Sequence, residues 1–324
     1  MKRSLPYIAL IFAMLCWSVS GIATKHALAL LPPFTMIIFR FTPAVLLMLV
    51  IGLVCRQSTL LRLQRVDAKD LPLFILAGVC LPFVYYLLET FTYRALNSPT
   101  VAEALLSTSP LLRDRKSTRL NSSHITVFAR FILRERITRN NIWGIVISTV
   151  GMFMLILVGS STFAIGRYWG VLLAFASVSA AVTYAVIMRG LPPKYSPLTI
   201  TFYTQLVSLM LFVPLWFWRE GVQALQVLDW SELTIPCTPL FTAMRSVGYL
   251  SVFASVVAYL CYCYSVRKIG VTKANAFNNI RPAFTALWML LFFGEHMPLA
   301  KWIGILLIII GLFVCQKEEK RAKS

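Results

Sequence analysis

Tyr93–Pro110 reads YRALNSPTVAEALLSTSP, and Ser265–Pro282 reads SVRKIGVTKANAFNNIRP. Aligned without gaps, Thr100 meets Thr272, Ala102 meets Ala274, Ala104 meets Ala276 and Pro110 meets Pro282. The landmarks that follow repeat their spacing as well. Glu135 to Gly144 spans nine positions, as does Glu295 to Gly304, and Gly144 to Gly151 spans seven, as does Gly304 to Gly311. The chain carries one unit twice.

What that unit is follows from composition. Of 324 residues, 58% are hydrophobic and 13% charged, with a mean hydropathy of +0.75. A soluble domain carries about 25% charged residues, and no core of this size could bury such an apolar excess. A bilayer span needs about 20 mostly apolar residues. Runs of that kind lie at 5–24, 34–55, 71–92, 99–133 (interrupted), 141–159, 168–188, 198–218, 246–266, 271–293 and 301–316. The first is long enough to span, so it reads as a helix and not as a cleaved signal. Ten spans divided by a repeat give five per copy. Five is odd, so the second copy enters the membrane upside down, the arrangement of alternating-access transporters with a site near the midplane. The expected fold is an all-α integral membrane protein, with ten transmembrane helices as two inverted five-helix repeats. Residues 1–160 form the first repeat, 165–316 the second, and 317–324 a solvated tail.

Charge sets the orientation. With the N-terminus inside, seventeen lysines and arginines fall in inner segments, among them Lys2, Arg56, Arg62, Arg136, Arg189, Arg267 and Lys317. Only Lys25, Arg94, Arg167, Arg219, Arg245 and Lys301 fall in outer ones. Cytoplasmic loops carry that excess, so both termini are expected in the cytoplasm of a cell with this protein in its inner (plasma) membrane. The net charge of +19 is thereby a topology signal. Without an aromatic-interleaved basic patch, it gives no footprint for nucleic acid. The seven cysteines sit mostly in apolar runs as small packing residues. The three histidines, His26, His124 and His296, form no ligand motif, and no metal or cofactor is expected.

The repeat breaks in one place. Pro282 to Glu295 is 13 residues, whereas Pro110 to Glu135 is 25. The surplus coincides with a polar block at 113–126, RDRKSTRLNSSHIT, inside the fourth span. Four cations there cost roughly 2.5–3.5 kcal/mol each on the insertion scale. Removing the block joins Leu112 to Val127 and restores an apolar span. The run from Lys116 to His124 resembles a translated sequencing-adapter fragment, and the block is read as an assembly artefact, with a genuine but destabilising insertion as the other reading.

Several motifs in order resemble the EamA family of the drug/metabolite transporter superfamily. They are Trp17-x3-Gly21-x3-Lys25, Arg40, Ala102-Glu103-Ala104 with Ser107-Thr-Ser-Pro110, Glu135 and Gly144, then Pro282, Gly294-Glu295, Gly304 and Gly311. The resemblance covers nearly the whole chain. It implies ten helices, cytoplasmic termini and transport of metabolites, often outward and often by proton exchange. The chain departs from it at the polar block and at Arg134, where the second copy has Gly294.

An ionisable residue at membrane depth marks a functional site by default. Glu103 leads, with Asn275 as its repeat partner, while Ser107 one turn on has Asn279. Spacings of i, i+4, i+7 put Glu103, Ser107 and Pro110 on one face, and likewise Asn275, Asn279 and Pro282. Glu103 suits a substrate amine or a coupling proton. Arg281 and Arg40 suit a substrate carboxylate, since the guanidinium fork matches its geometry. Arg281 precedes Pro282 near the middle of the ninth span, where Pro282 is expected to free a carbonyl. Gln205, Trp17, Tyr86, Tyr184 and Tyr259 are candidate cavity walls, with helix packing or interfacial belts as the other reading. Lys25 and Glu89, near outer helix ends, are candidate gates or interface anchors. Gly144/Gly151 and Gly304/Gly311 let helices approach closely and offer a face for a homodimer.

The expected function is a secondary transporter, most often an exporter, of a small organic metabolite. The presence of both Glu103 and Arg281 favours a zwitterion such as an amino acid. A membrane-embedded lipid-modifying enzyme would need clustered carboxylates or histidines, and the twelve acidic residues are scattered. A non-transporting scaffold would not need repeat-matched polar faces. Without a Walker A loop, ATP is not the direct energy source.

Overall fold

The computed structural model describes residues 4–58, 61–96, 99–106, 165–190, 195–226, 228–269, 277–293 and 298–316, with scattered positions between 143 and 154. The polar block and most of the fifth span lie outside the described residues. Every regular element among those described is helical. In order they are α1 (Leu5–Leu28), α2 (Pro33–Val54), α3 (Leu71–Ala95), α4 (Pro99–Leu106), α5 (Ile165–Gly190) and α6 (Pro197–Arg219). Then come α7 (Pro239–Tyr249, continuing through Leu250–Val257 and Ala258–Ile269), α8 (Arg281–Phe293) and α9 (Leu299–Gln316). Five of these, α1, α2, α3, α6 and α7, are individually long and apolar enough to cross a membrane.

Helix starts follow local chemistry. Pro33 and Pro197 occupy the first turns of α2 and α6, where the missing N–H costs no intrahelical bond. The Ser196 hydroxyl accepts from Thr199 N at 3.0 Å to cap α6. One boundary differs from the sequence reading. The eighth span was expected at 246, after Arg245, but α7 starts at Pro239 behind the Thr238 cap, whose hydroxyl accepts from Phe241 N at 3.3 Å. Arg245 is therefore a residue of the helix, exposed on its side, and not part of the preceding loop. A hydropathy window stops at a charge, whereas a helix stops at its cap.

Packing expresses the repeat. α1, the first span of the first copy, packs on α7 and α8, the third and fourth spans of the second. Reciprocally α5, the first span of the second copy, packs on α3 and α4. α2 packs on its own mate α6. Each copy's first helix thus packs on the third and fourth helices of the other copy.

The α2–α6 pair is fastened at both ends. At one end the Glu220 carboxylate, one residue past α6, accepts from Phe34 N (2.9 Å), Thr35 N (2.6 Å) and the Thr35 hydroxyl (2.7 Å), so it caps α2 from another helix. Trp216 Nε1 donates to the same hydroxyl at 2.9 Å. At the other end the loop before α3 grips the start of α6. Ser196 N donates to Gln64 Oε1 at 2.6 Å, Ser196 Oγ to Arg62 O at 2.6 Å, and Tyr195 Oη to Asp70 Oδ2 at 2.6 Å. Glu220→Ala is expected to cost about 2 kcal/mol, the scale of a lost cap with charged hydrogen bonds. It should lower the unfolding temperature in detergent by several degrees, with Glu220→Gln intermediate. Equal melting of all three proteins would remove the cap from the account.

Two helices are irregular at mid-span. α3 breaks at Leu81, whose backbone is extended (φ −146°, ψ 117°) immediately before Pro82. α7 widens over Leu250–Val257. In the ungapped repeat alignment Leu81 meets Phe253, so the irregularities are repeat mates. Widened turns leave carbonyls without their helical donors, and at membrane depth those need partners. Trp17 Nε1 donates to Ala254 O and Gln205 Nε2 to Ser255 O, each at 3.0 Å.

Candidate functional site

Between the irregular segments lies a buried polar layer built from both copies. Arg281 Nη2 stands 2.6 Å from Glu103 Oε1, with the Glu103 side chain 0% exposed and that of Arg281 13%. The Tyr93 hydroxyl donates to the second oxygen, Glu103 Oε2, at 2.7 Å. The Arg281 guanidinium lies over the Trp17 ring, 5.5 Å from its centroid, a favourable cation–π placement away from water. α4, α3, α8 and α1 thus each contribute one group to this centre.

A second pair sits beside it. Arg40 Nη1 and Glu89 Oε2 are 3.9 Å apart and both buried. Arg40 Nε donates to Ser255 Oγ at 3.0 Å, and its guanidinium covers the Tyr86 ring at 4.3 Å. The Tyr85 hydroxyl donates to Glu89 Oε1 at 3.1 Å. Glu89 is within electrostatic range of both Glu103 and Arg281, so two carboxylates and two guanidinium groups share one layer. Equal numbers of opposite charge let the layer exist in an apolar surround, where a lone buried charge would cost several kcal/mol.

The layer has unused hydrogen-bonding capacity. Arg281 Nε, Gln205 Oε1 and Ser208 Oγ are buried with no hydrogen-bond partner. Buried polar groups are usually satisfied, so these three atoms leave hydrogen-bonding capacity open inside the helix bundle. Aromatic rings line the same region. Trp17 stands edge-on to Tyr259 (5.2 Å between centroids), the Tyr259 and Tyr86 hydroxyls are 3.0 Å apart, and Tyr184 packs against the cluster containing Tyr86.

Of the residues singled out from sequence, Glu103, Arg281, Arg40, Glu89, Gln205, Trp17, Tyr86, Tyr184 and Tyr259 come together here. Lys25 lies apart, its Nζ 3.4 Å from Leu96 O. Ser107 and Asn275 lie outside the described residues, as does the Asn279 side chain. α8 begins at Arg281 directly after a tight turn, Phe277–Ile280, so Pro282 stands in the first turn of the α-helix, nearer a helix start than its place within the expected span suggests. The sequence reading passed over Tyr93, Tyr85 and Ser255. Tyr93 and Ser255 act across helices, and no spacing along the chain relates Tyr93 to Glu103 or Ser255 to Arg40, whereas Tyr85 reaches Glu89 at i, i+4 within α3. The Trp17-x3-Gly21-x3-Lys25 stripe held a clue to Tyr93. A Cβ on Gly21 would fall 2.6 Å from the Tyr93 hydroxyl, so only glycine leaves room for the Tyr93–Glu103 contact. Among the described residues no cluster of histidine, cysteine or carboxylate side chains is suited to a metal.

Comparison with known proteins accords with this architecture. A transporter of Archaeoglobus fulgidus, itself uncharacterized, is 22% identical over 313 residues, covering 97% of this chain and 99% of its own. The uncharacterized transporters YetK and YyaM of Bacillus subtilis are each 24% identical, over 99% and 96% of this chain and 89% and 93% of theirs. A solved crystal structure superposes with a TM-score of 0.63 at 19% identity, over 96% of this chain and 98% of its own, a likeness of fold alone. The model of the EamA-like transporter family matches residues 4–113 and 168–315, its first segment ending where the polar block begins. With most of its length matched in two segments, this chain, a ten-helix membrane protein of two repeats, belongs to the EamA-like transporter family.

Proposed function

We propose that this transporter exports a small organic metabolite carrying both an amine and a carboxylate, an amino acid or a related compound, by alternating access between its inverted halves. The observation that carries this reading is the Glu103–Arg281 pair at the junction of the two copies. A substrate carboxylate competes with Glu103 for Arg281, whose Nε is still open, and the released Glu103 carboxylate receives the substrate amine or a coupling proton. Each half of a zwitterion then replaces one half of the internal pair, so the layer remains neutral whether loaded or empty. The aromatic side chains Trp17, Tyr86, Tyr184 and Tyr259 would contact the apolar part of the substrate. The protein sits in the inner membrane with both termini in the cytoplasm, in keeping with the lysine and arginine distribution.

The test is a comparison of metabolites released by cells with and without the protein, followed by counterflow of the enriched compounds in proteoliposomes. Enrichment of zwitterionic amino compounds outside the cells, with saturable counterflow, is the expected result. Counterflow confined to compounds lacking either charge would overturn the substrate class. Release of modified lipid instead would point to a membrane-embedded enzyme.

A further inference from the structure

A pocket of about 500 Å³ opens on the flank of the helix bundle, lined by Val19, Ile22, Ala23 and His26 of α1, Arg245, Ser246 and Tyr249 of α7, and Trp288 and Phe292 of α8. Its form comes from the helix order. α1 packs between α7 and α8, so one face of α1, at i, i+3, i+4, i+7, makes the floor of a groove and the neighbouring helices make its walls. From Val19 to His26 the floor runs about 10 Å, seven residues at helical rise. The surface around its mouth is apolar and outward-facing. Phe292 is 70% exposed, and Leu287, Leu291 and Phe253 beside it are exposed too. In a membrane protein these side chains meet lipid. The groove is therefore open to hydrocarbon, unlike the polar layer, which is buried on the other side of α1 behind Gly21 and Tyr93.

The groove is charged at one end only. Arg245 stands six residues inside α7, about 9 Å from the helix start, and it is exposed. His26 closes the same end of the floor, within electrostatic range of Arg245. A lipid-facing arginine at that depth costs about 2.5–3.5 kcal/mol at the bilayer centre and less toward the interface, and an anionic headgroup offsets that cost. Apolar along one face of α1 and cationic at the end nearer the membrane surface, the groove has the polarity of a phospholipid's headgroup and upper acyl chain and not of a small polar solute.

We infer that this groove is a binding site for an anionic phospholipid, with one acyl chain along Val19, Ile22 and Ala23 and the headgroup phosphate on Arg245 and His26. The inference takes from the preceding reading only the membrane embedding of the chain and nothing about its substrate. α1 is shared, its Val19–His26 face lining the groove while Trp17 and Gly21 face the polar layer.

The test is a binding measurement that needs no transport. Purified full-length protein, delipidated in detergent, is offered equimolar phosphatidylglycerol and phosphatidylcholine, and retained lipids are counted by native mass spectrometry. The parent protein is expected to retain phosphatidylglycerol several-fold over phosphatidylcholine. Arg245→Gln should abolish that preference, Arg245→Lys should keep most of it, and Val19→Phe should lower retention of both lipids by filling the deep end. Equal retention of the two lipids by the parent would overturn the inference, as would an undiminished preference in Arg245→Gln. Should transport of zwitterions fail its own test while this preference holds, the substrate reading falls and the lipid site stands.

Discussion

Glu103→Gln cuts transport by about two orders of magnitude while the protein still inserts and folds. That is the factor to which roughly 3 kcal/mol corresponds, the lower end of what removing one partner of a buried charge pair costs. Glutamine retains the shape of the side chain and an acceptor for the Tyr93 hydroxyl, now 2.7 Å from Glu103 Oε2. It lacks the charge that Arg281 meets at 2.6 Å. A purely structural role and a transport role make different predictions for the double variant. If the pair only fastens α4 to α8, Glu103→Gln with Arg281→Gln removes both buried charges and should recover thermal stability and flux together. If the pair is the substrate site, stability recovers and flux does not. Flux and unfolding temperature measured on the two single variants and the double variant decide between them. Restored flux in the double variant would sink the site assignment.

Deleting residues 113–126 raises the yield of inserted, monodisperse protein several-fold. Arg113, Arg115, Lys116 and Arg119 lie within a stretch that must cross the bilayer if the first copy is to match the second. Together they oppose insertion by about 10 kcal/mol on a scale of roughly 2.5–3.5 kcal/mol per central cation. Joining Leu112 to Val127 restores an apolar run, and the family match breaks off at residue 113. Insertion is read from membrane-fraction yield and size-exclusion profile of tagged protein with and without the block. Sequencing genomic DNA across codons 110 to 127 gives an independent reading, with the block expected to be absent. Equal yield of the two proteins, with the block confirmed in the genome, would make it a native insertion that the fold accommodates.

Much of this protein is legible along one dimension. Span length and hydropathy mark α1, α2, α3 and α6 within a few residues, and the existence of α7 though not its start, because a bilayer demands long apolar stretches whatever their neighbours. The doubled landmarks around Glu103 and Arg281 reveal the repeat, since spacing survives in sequence when identity does not. Expensive charges announce themselves too. Glu103, Arg281 and Arg40 stand out because hydrocarbon leaves few reasons to hold them.

Other features required the folded chain. The start of α7 at Pro239 depends on a cap that hydropathy does not register. The proline at 282, which by sequence falls near the middle of a span, stands in the first turn of α8 once the turn at Phe277–Ile280 is seen. The tertiary structure alone decided that Glu103 meets Arg281 and Tyr93, and that Arg40 meets Glu89 and Ser255. The reason is physical. The cost of a charge in an apolar surround is a property of the residue and its depth, both of which the sequence states. The partner that offsets that cost is a property of which helices become neighbours, and here the two copies exchange their first helices. Only that exchange sets Trp17 of the first copy over Arg281 of the second.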